Sequence, residues 1–214
     1  MSRTALLAGA TGLVGSHVLK FLLAAAEWDR VVTLGRRAAP ERHDKLEQRV
    51  LDLGTVEAAH DVFCCLGTTI KKAGSQEGFR RVDHDLVVEL ARAGVRAGAT
   101  QFLLVSAVGA DPESRVFYSR VKGETEADVR KLPYRAVQIF RPSLLLGERT
   151  EVRLGERIAM MAAPLLQLAL VGRLRRYRPI QARDVARAMV RIAREAPRGP
   201  NVFEYDAMVA SAAA

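Results

Sequence analysis

The stretch that decides the fold lies near the start of the chain, at residues 4–15, and reads TALLAGATGLVG. A short apolar run leads into three glycines spaced three apart, and a segment with helical apolar spacing follows directly. This order predicts a strand, a tight turn and a helix whose N-terminus favours phosphate, which is typical of dinucleotide binding. The predicted dinucleotide-binding loop comprises Gly9, Ala10, Thr11, Gly12, Leu13, Val14 and Gly15.

Length and composition indicate one globular domain over residues 1–214, of which 49% are hydrophobic and 27% charged. The predicted first strand begins close to Met1, so we expect no signal or transit peptide. The adjacent Cys64 and Cys65 lie in an apolar run, which predicts neither a disulfide framework nor a metal site. Together these observations favour a cytosolic location.

The formal net charge is +9, and this excess raises the question of nucleic-acid binding. The arginines are scattered along the chain, with one dense cluster at residues 173–178, and no nucleic-acid-binding motif accompanies them. Binding of an anionic ligand or an anionic surface explains the positive charge more simply than binding of nucleic acid. We therefore do not predict nucleic acid as a partner.

Strand-like and helix-like segments alternate through the first two thirds of the chain. The predicted strands are 4–8, 31–34, 49–51, 61–66, 102–105 and 136–140, and the longer predicted helices are 13–26, 79–98, 112–131 and 184–193. Apolar strands in this alternation predict a doubly wound α/β fold, with a parallel sheet covered by helices on both faces. Ligands of such sheets bind beyond the carboxyl ends of the strands.

The residues after the second strand indicate the type of dinucleotide. Arg36 and Arg37 stand where an acidic residue would accept the free ribose 2′-hydroxyl of NAD(H), and arginine suits a 2′-phosphate. We therefore expect NADP(H) in preference to NAD(H), although two solvated loop arginines would look the same. Further cofactor contacts are predicted at the ends of the third and fourth strands, from Asp52, Leu53, Gly67 and Thr68.

A candidate catalytic set lies in and before the predicted helix 112–131. Tyr118 and Lys122 are four residues apart and share one helix face. At ~4 Å and an effective dielectric constant of ~20, an ammonium attracts a phenolate by about 4 kcal/mol before desolvation, which favours proton transfer by the tyrosine. Lys122 could also bind the nicotinamide ribose, and Ser106 could orient a substrate carbonyl. A partly exposed tyrosine beside a solvated lysine is the alternative interpretation.

The chain beyond residue 142 has a looser pattern, and we predict a substrate-side cap over about 143–180. Within it, 158–171 is apolar on almost all sides but too short to span a bilayer. We favour a buried helix over the substrate cleft, with a dimer contact or a membrane-surface contact as alternatives. The chain is expected to be a monomer or a homodimer.

These motifs together resemble the short-chain dehydrogenase/reductase superfamily in its extended or atypical branch. The run from Val105 to Asp111 and the segment from Phe117 to Glu124 resemble the Tat-interacting-protein group of oxidoreductases. The resemblance spans roughly residues 3–148 and implies NADP(H) binding on a Rossmann fold, with Ser106, Tyr118 and Lys122 as the catalytic set.

Two positions depart from the pattern of that superfamily. Many of its members have paired serines where this chain has Ser106-Ala107, so Ser106 could be a backbone-capping residue. Many also have an asparagine in the preceding helix, whereas 81–85 contains none. Asp83 could hold a water there or be a solvated helix charge, and His84 is expected at the surface.

Three functions remain open at this point. The favoured one is an NADP(H)-dependent reductase or dehydrogenase that acts on a small carbonyl or alcohol, with Tyr118 as acid/base. The alternative is an NADP(H)-binding regulatory or interaction protein with little turnover. Sugar-nucleotide epimerisation is a third option, but 214 residues leave little room for the substrate domain that this work usually needs.

Overall fold

Within the described residues, seven parallel strands form one sheet, which runs from edge to edge through residues 46–50, 30–35, 4–8, 61–64, 101–105, 136–140 and 199–203. The computed structural model describes residues 3–50, 52–56, 58–147 and 170–213. The strands of the sheet are β1 Thr4–Ala8, β2 Arg30–Gly35, β3 Leu46–Val50, β4 Asp61–Cys64, β5 Gln101–Val105, β6 Ala136–Phe140 and β9 Gly199–Phe203. A second, two-stranded parallel sheet pairs β7 Leu145–Leu146 with β8 Ile180–Gln181.

Helices connect and cover these strands. They are α1 Leu13–Ala24, α2 Ile70–Ala73, α3 Gln76–Arg80, α4 Leu86–Arg96, α5 Phe117–Arg130, α6 Ala182–Glu195 and α7 Tyr205–Ala213. A single π turn, Arg81–Asp85, joins α3 to α4, and 3₁₀ turns occupy Leu53–Thr55 and Gly172–Tyr177.

Alternating strand residues supply two separate cores, one on each face of the sheet. On the first face Leu7, Phe63, Leu103 and Phe140 pack with residues of α1, α6 and α7. On the second face Leu6, Val62, Phe102 and Ile139 pack with residues of α4 and α5. Because side chains of a strand point alternately up and down, a sheet buried on both faces requires continuous apolar strands. The predicted doubly wound α/β fold is confirmed.

Some predicted boundaries were wrong where polar residues form regular structure. β3 begins at Leu46, three residues before the predicted strand 49–51, and it lies at the edge of the described sheet, where it pairs with β2. Its Glu47 forms ion pairs with Arg30 and Arg49, so the strand shows no apolar alternation. At an edge, polar cross-strand pairs replace burial as the stabilising contact.

Two helix starts also differ from the prediction, for reasons of capping. α3 begins at Gln76, three residues before the predicted helix 79–98, because the Ser75 hydroxyl caps it by accepting the N–H of Gly78. α5 begins at Phe117 rather than near Pro112, since Asp111 holds the preceding residues in a turn by accepting the N–H of Glu113.

The carboxyl ends of β1, β2, β3, β4 and β5 meet at one edge of the sheet, as the parallel pairing requires. The predicted site residues therefore converge on this edge. Much of the predicted cap, including most of 158–171, lies outside the described residues, whereas 143–147 and 170–180 are described. Among the described helices, none has both the length and the apolar character needed to cross a membrane.

Candidate active site

The glycine loop after β1 has the close backbone packing that its sequence predicts. Gly9 has a φ of +86°, and a Cβ there would lie 2.5 Å from the carbonyl oxygen of Cys65, just beyond β4. A Cβ on Gly15 would lie 2.0 Å from the carbonyl oxygen of Gly9. Any side chain at either position would collide with backbone, so these two glycines let β1, β4 and α1 approach one another.

The N-terminus of α1 is open toward the same edge. Gly12 is its N-cap, no side chain caps its free N–H groups, and its first turn contains no acidic residue. Ala10 and Val14 are buried while Thr11 and Gly12 are exposed, so the loop presents backbone outward. An uncapped helix N-terminus with no competing carboxylate fits a pyrophosphate. The residues present therefore fit the phosphate part of a dinucleotide.

The residues at the ends of β2 and β3 divide into free cations and structural groups. Arg36 and Arg37 are exposed, and neither forms an ion pair or hydrogen bond within the part of the chain that the structure describes. Asp52 caps the following 3₁₀ turn by accepting the N–H of Gly54 at 2.9 Å, and Leu53 packs against the second core. The positive charge of the arginine pair is thus available to an anion.

Lys122 lies in a buried ion pair rather than in solvent. Its Nζ is 2.8 Å from Oδ1 of Asp83, and the two side chains are 7% and 1% exposed. Oδ2 of Asp83 accepts the N–H of Thr68 at 2.8 Å, and Gly67 lies next to the same carboxylate. The structure therefore brings Lys122, Gly67 and Thr68 together, with Asp83 as the group that they share.

The electrostatics of Lys122 reflect this pairing. Burial by itself lowers the pKa of Lys122, but the Asp83 carboxylate, followed by Tyr118, outweighs burial and holds the pKa above its ordinary value. The lysine is therefore a charged group at neutral pH. Asp83 is not a solvated helix charge, because its side chain is 1% exposed and both of its carboxylate oxygens have protein partners.

Tyr118 lies one helical turn before Lys122 at the start of α5 and is 37% exposed. Its ring packs against the fully buried Phe79 with the ring centroids 5.4 Å apart. The ring is thus supported from α3 while the residue keeps access to solvent. This is the placement that a proton donor to a bound substrate requires.

Ser106 is directed away from that arrangement. Its hydroxyl donates a 2.6 Å hydrogen bond to Oε1 of Glu126, which is 2% exposed. Arg141 donates to both oxygens of Glu126, at 2.9 and 2.6 Å, and Glu126 raises the pKa of Arg141. Ser106 therefore belongs to a buried network that joins the ends of β5 and β6 to α5.

The sequence did not predict that Glu126 is the partner of Ser106, or that Asp83 forms an ion pair with Lys122. Tyr118, Lys122 and Glu126 follow one another at intervals of four, so a signal for Glu126 was present on the helix face that carries the predicted catalytic pair. It was hidden because Glu124, Asp128 and Arg130 surround it and make this part of α5 look solvated. His84, expected at the surface, is half-buried between Asp85 and Asp128.

Curated relatives share most of the chain. Protein HTATIP2 of Rattus norvegicus is 38% identical over 168 residues, which cover 74% of this chain and 69% of that protein. The mitochondrial protein fmp52 of Emericella nidulans is 36% identical over 180 residues, which cover 78% of this chain and 76% of that protein. The predicted resemblance to the Tat-interacting-protein group is confirmed by these matches.

The same relatives contradict the predicted cytosolic location. Several of the fungal proteins carry the word mitochondrial in their names. The prediction depended partly on two unpaired cysteines, and Cys64 is fully buried, where a thiol stays unpaired in any compartment. The predicted cytosolic location is therefore wrong, and cysteine usage was not a sound basis for it.

Solved structures with similar folds have low sequence identity. MoeE5 in complex with UDP-glucuronic acid and NAD is 20% identical, has a TM-score of 0.71, and the match covers 94% of this chain and 75% of that one. The human epimerase family protein SDR39U1 with NADPH is 17% identical with a TM-score of 0.66, covering 94% of this chain and 74% of that one. At these identities the likeness shows the fold alone.

Residues 5–205 match the NAD dependent epimerase/dehydratase family, a range that spans the glycine loop, the Asp83–Lys122 pair and the last strand of the sheet. Its members include the extended short-chain dehydrogenase/reductases, in agreement with the resemblance found in the sequence. Together with the rat and fungal relatives, this match shows that the chain belongs to the NAD dependent epimerase/dehydratase family.

Proposed function

We propose that the protein is an NADP(H)-dependent oxidoreductase of the short-chain dehydrogenase/reductase type, acting on a small carbonyl or alcohol. The observation that carries the proposal is a continuous set of contacts from the glycine loop to the helix with Tyr118. Gly9 packs on the carbonyl of Cys65, and the same chain segment continues to Thr68, whose N–H binds Asp83 beside Lys122. A phosphate-binding loop and a tyrosine–lysine helix are thereby parts of one site.

The cofactor would be held by three groups on this edge of the sheet. The N-terminus of α1 would bind the pyrophosphate, Arg36 with Arg37 the 2′-phosphate, and Lys122 the nicotinamide ribose. NADP(H), when bound, supplies or accepts the hydride. The preference for NADP(H) is supported by the two exposed arginines, which have no protein partner in the described part of the chain.

Tyr118 would act as the general acid in the reducing direction. Its hydroxyl gives a proton to the carbonyl oxygen while the carbonyl carbon receives the hydride, so that an alcohol forms; oxidation reverses both transfers. Lys122 would favour the resulting phenolate, although the Asp83 carboxylate compensates much of its charge. The support that Phe79 gives to the ring keeps the hydroxyl in a defined position.

Ser106 would act as a positioning residue. Because its hydroxyl donates to Glu126, it stabilises the end of β5 against α5, and through α5 the placement of Tyr118. At the start of the predicted cap, Gly147 lies beside the glycine loop, since a Cβ on Gly147 would approach the Leu13 side chain to 3.0 Å. We propose that this segment covers the substrate.

The alternative is an NADP(H)-binding regulatory protein with little turnover, and one observation favours it. Two members of the predicted catalytic set already have buried acidic partners, Ser106 with Glu126 and Lys122 with Asp83. In that function, binding of the cofactor would control a surface of this protein that binds a partner, and no substrate would react. Capture of a partner that depends on added NADPH would support it.

The test compares binding with turnover. We expect the wild-type protein to bind NADPH and to oxidise it with at least one member of a broad panel of aldehydes and ketones. Tyr118→Phe should keep the NADPH affinity and lose turnover, because it removes only the hydroxyl that transfers the proton. Tyr205→Phe is the matched control and should keep both. NADPH binding without turnover of any panel member would favour the regulatory alternative, and an active Tyr118→Phe variant would remove the tyrosine from the mechanism.

A further inference from the structure

Asp83 lies in the only π turn among the described residues, between α3 and α4. A π turn inserts an extra residue into a helix and so changes which side chains face inward, and such turns often occur at functional sites. Here the carboxylate of Asp83 points into the protein, although its neighbours Arg81 and Asp85 are exposed. The local geometry of the helix therefore places the Asp83 carboxylate in a buried position.

The carboxylate and backbone of Asp83 connect three elements. Oδ1 binds Lys122 of α5, and Oδ2 accepts the N–H of Thr68 from the loop after β4, each at 2.8 Å. The hydroxyl of Thr125 lies 3.0 Å from the backbone carbonyl oxygen of Asp83 and 2.7 Å from that of Val121, so the two carbonyls share its one proton. The π turn is thus bonded to the cofactor-side loop and, twice, to the helix that carries Tyr118.

No other acidic group in the described part of the chain pairs with Lys122. The titratable groups that face the ammonium are Asp83 from the π turn, Tyr118 from its own helix and Cys64 from β4. Burial raises the pKa of the Cys64 thiol to about 12, so it carries no charge at neutral pH. Asp83 is therefore the carboxylate that compensates the charge of Lys122, and a buried ammonium without such a counterion loses its proton readily.

We propose that Asp83 is a positioning residue that holds the ammonium of Lys122 and the Gly67-Thr68 loop as one unit. The role assigned here to Lys122, binding of the nicotinamide ribose, rests on the proposed function. In this arrangement the lysine stays charged and fixed before any cofactor arrives. The Gly67-Thr68 loop is held by the same carboxylate, so loop and lysine present a preformed surface to the ligand.

Asp83→Asn is the informative variant, because the amide oxygen can still accept from Thr68 while the negative charge is lost. Asp85→Asn is the matched control: it lies in the same turn, its side chain is 51% exposed, and it does not contact Lys122. The first readout is the titration of Lys122 by NMR in protein labelled at lysine Cε, in the absence of cofactor. With six lysines in the chain, Lys122 can be assigned by comparison with Lys122→Met.

We expect the titration midpoint of Lys122 to fall by about one pH unit or more in Asp83→Asn and to stay unchanged in Asp85→Asn. NADPH affinity should be independent of pH between about 7 and 9 for the wild type. For Asp83→Asn it should weaken as the pH approaches the lowered titration midpoint of Lys122, because the lysine then loses its proton. An unchanged Lys122 midpoint in Asp83→Asn would overturn the proposal.

A double variant covers the case in which Asp83→Asn does not fold. Asp83→Asn with Lys122→Met removes both charges, so no unpaired ion remains in the interior. The proposal requires this double variant to fold and, where Asp83→Asn also folds, to melt at a higher temperature than Asp83→Asn; failure of the double variant to fold, or equal melting of the two, would contradict it. The titration and the melting temperatures need no turnover. A wild-type protein that reduces no carbonyl, or binds no NADPH, would therefore contradict the proposed function alone. The titration of Lys122 would still decide whether Asp83 holds this lysine.

Discussion

The hydroxyl of Ser106 donates to Oε1 of Glu126 over 2.6 Å, and this contact joins the end of β5 to α5. Glu126 is also bound by both ends of the Arg141 guanidinium fork and by Arg130. A buried carboxylate with this many donors is satisfied only while all three elements stay in place. The serine that sequence suggests as a carbonyl donor thus has a structural partner.

Ser106→Ala should therefore act on stability. Loss of a hydrogen bond to a charged group predicts a decrease of about 1.5–3 kcal/mol in the free energy of unfolding, measured by urea denaturation. Ser119→Ala, on the same helix as Glu126, is the control and should change it by less than about 0.5 kcal/mol. Full stability combined with complete loss of carbonyl reduction would instead identify Ser106 as a catalytic residue.

Arg36→Ala should discriminate between the two dinucleotides. If the exposed guanidinium binds the 2′-phosphate, NADPH affinity falls by about tenfold or more, about 1.4 kcal/mol, while NADH affinity changes little. Isothermal titration with both cofactors measures the difference. Arg42→Ala, an exposed arginine in the segment that follows, should leave both affinities unchanged. Equal losses for NADPH and NADH in Arg36→Ala would remove the argument for the phosphorylated cofactor.

We expect two loop glycines to have different roles, Gly15 in backbone packing and Gly12 in cofactor binding. Gly15→Ala forces a methyl group to within 2.0 Å of the Gly9 carbonyl oxygen, so we expect a loss of about 3 kcal/mol or failure to fold. Gly12 is exposed at the start of α1, and the nearest atom to its Cβ is 3.2 Å away. Gly12→Ala should cost about 1 kcal/mol yet weaken NADPH binding. A Gly12→Ala variant with unchanged affinity would exclude a close approach of the cofactor there.

Stability should fall in alkaline solution through the buried thiol of Cys64. Its pKa is near 12 in the folded state and about 9.0 when exposed, so above pH 9 the unfolded chain binds fewer protons than the native protein. The free energy of unfolding then decreases with pH by up to about 1.4 kcal/mol per unit. Cys64→Ala should lower stability at pH 7 but show a shallower decline above pH 9. Parallel pH profiles for wild type and variant would contradict this, since Cys65 and Tyr134 titrate in both.

The sequence alone determined the class of fold and the edge of the sheet where the site lies. The spacing of the glycines between β1 and α1, and the apolar strands that follow, depend on local contacts and on periodicity, which can be read along the chain. For the same reason the sequence predicted that Tyr118 and Lys122 are neighbours on one helix face. It failed at β3, where polar pairing at the sheet edge replaces burial.

Only the tertiary structure decided which groups those residues contact. Asp83 is 39 residues from Lys122, and Ser106 is 20 residues from Glu126, so both pairs depend on how the two helices pack beside β4 and β5. A π turn that rotates one carboxylate inward leaves no mark in the apolar pattern, and a buried glutamate among charged neighbours looks solvated. The fold can be predicted from local periodicity. The charged partners of Lys122 and Ser106 depend instead on burial and on pairing between distant residues, which no single segment of sequence contains.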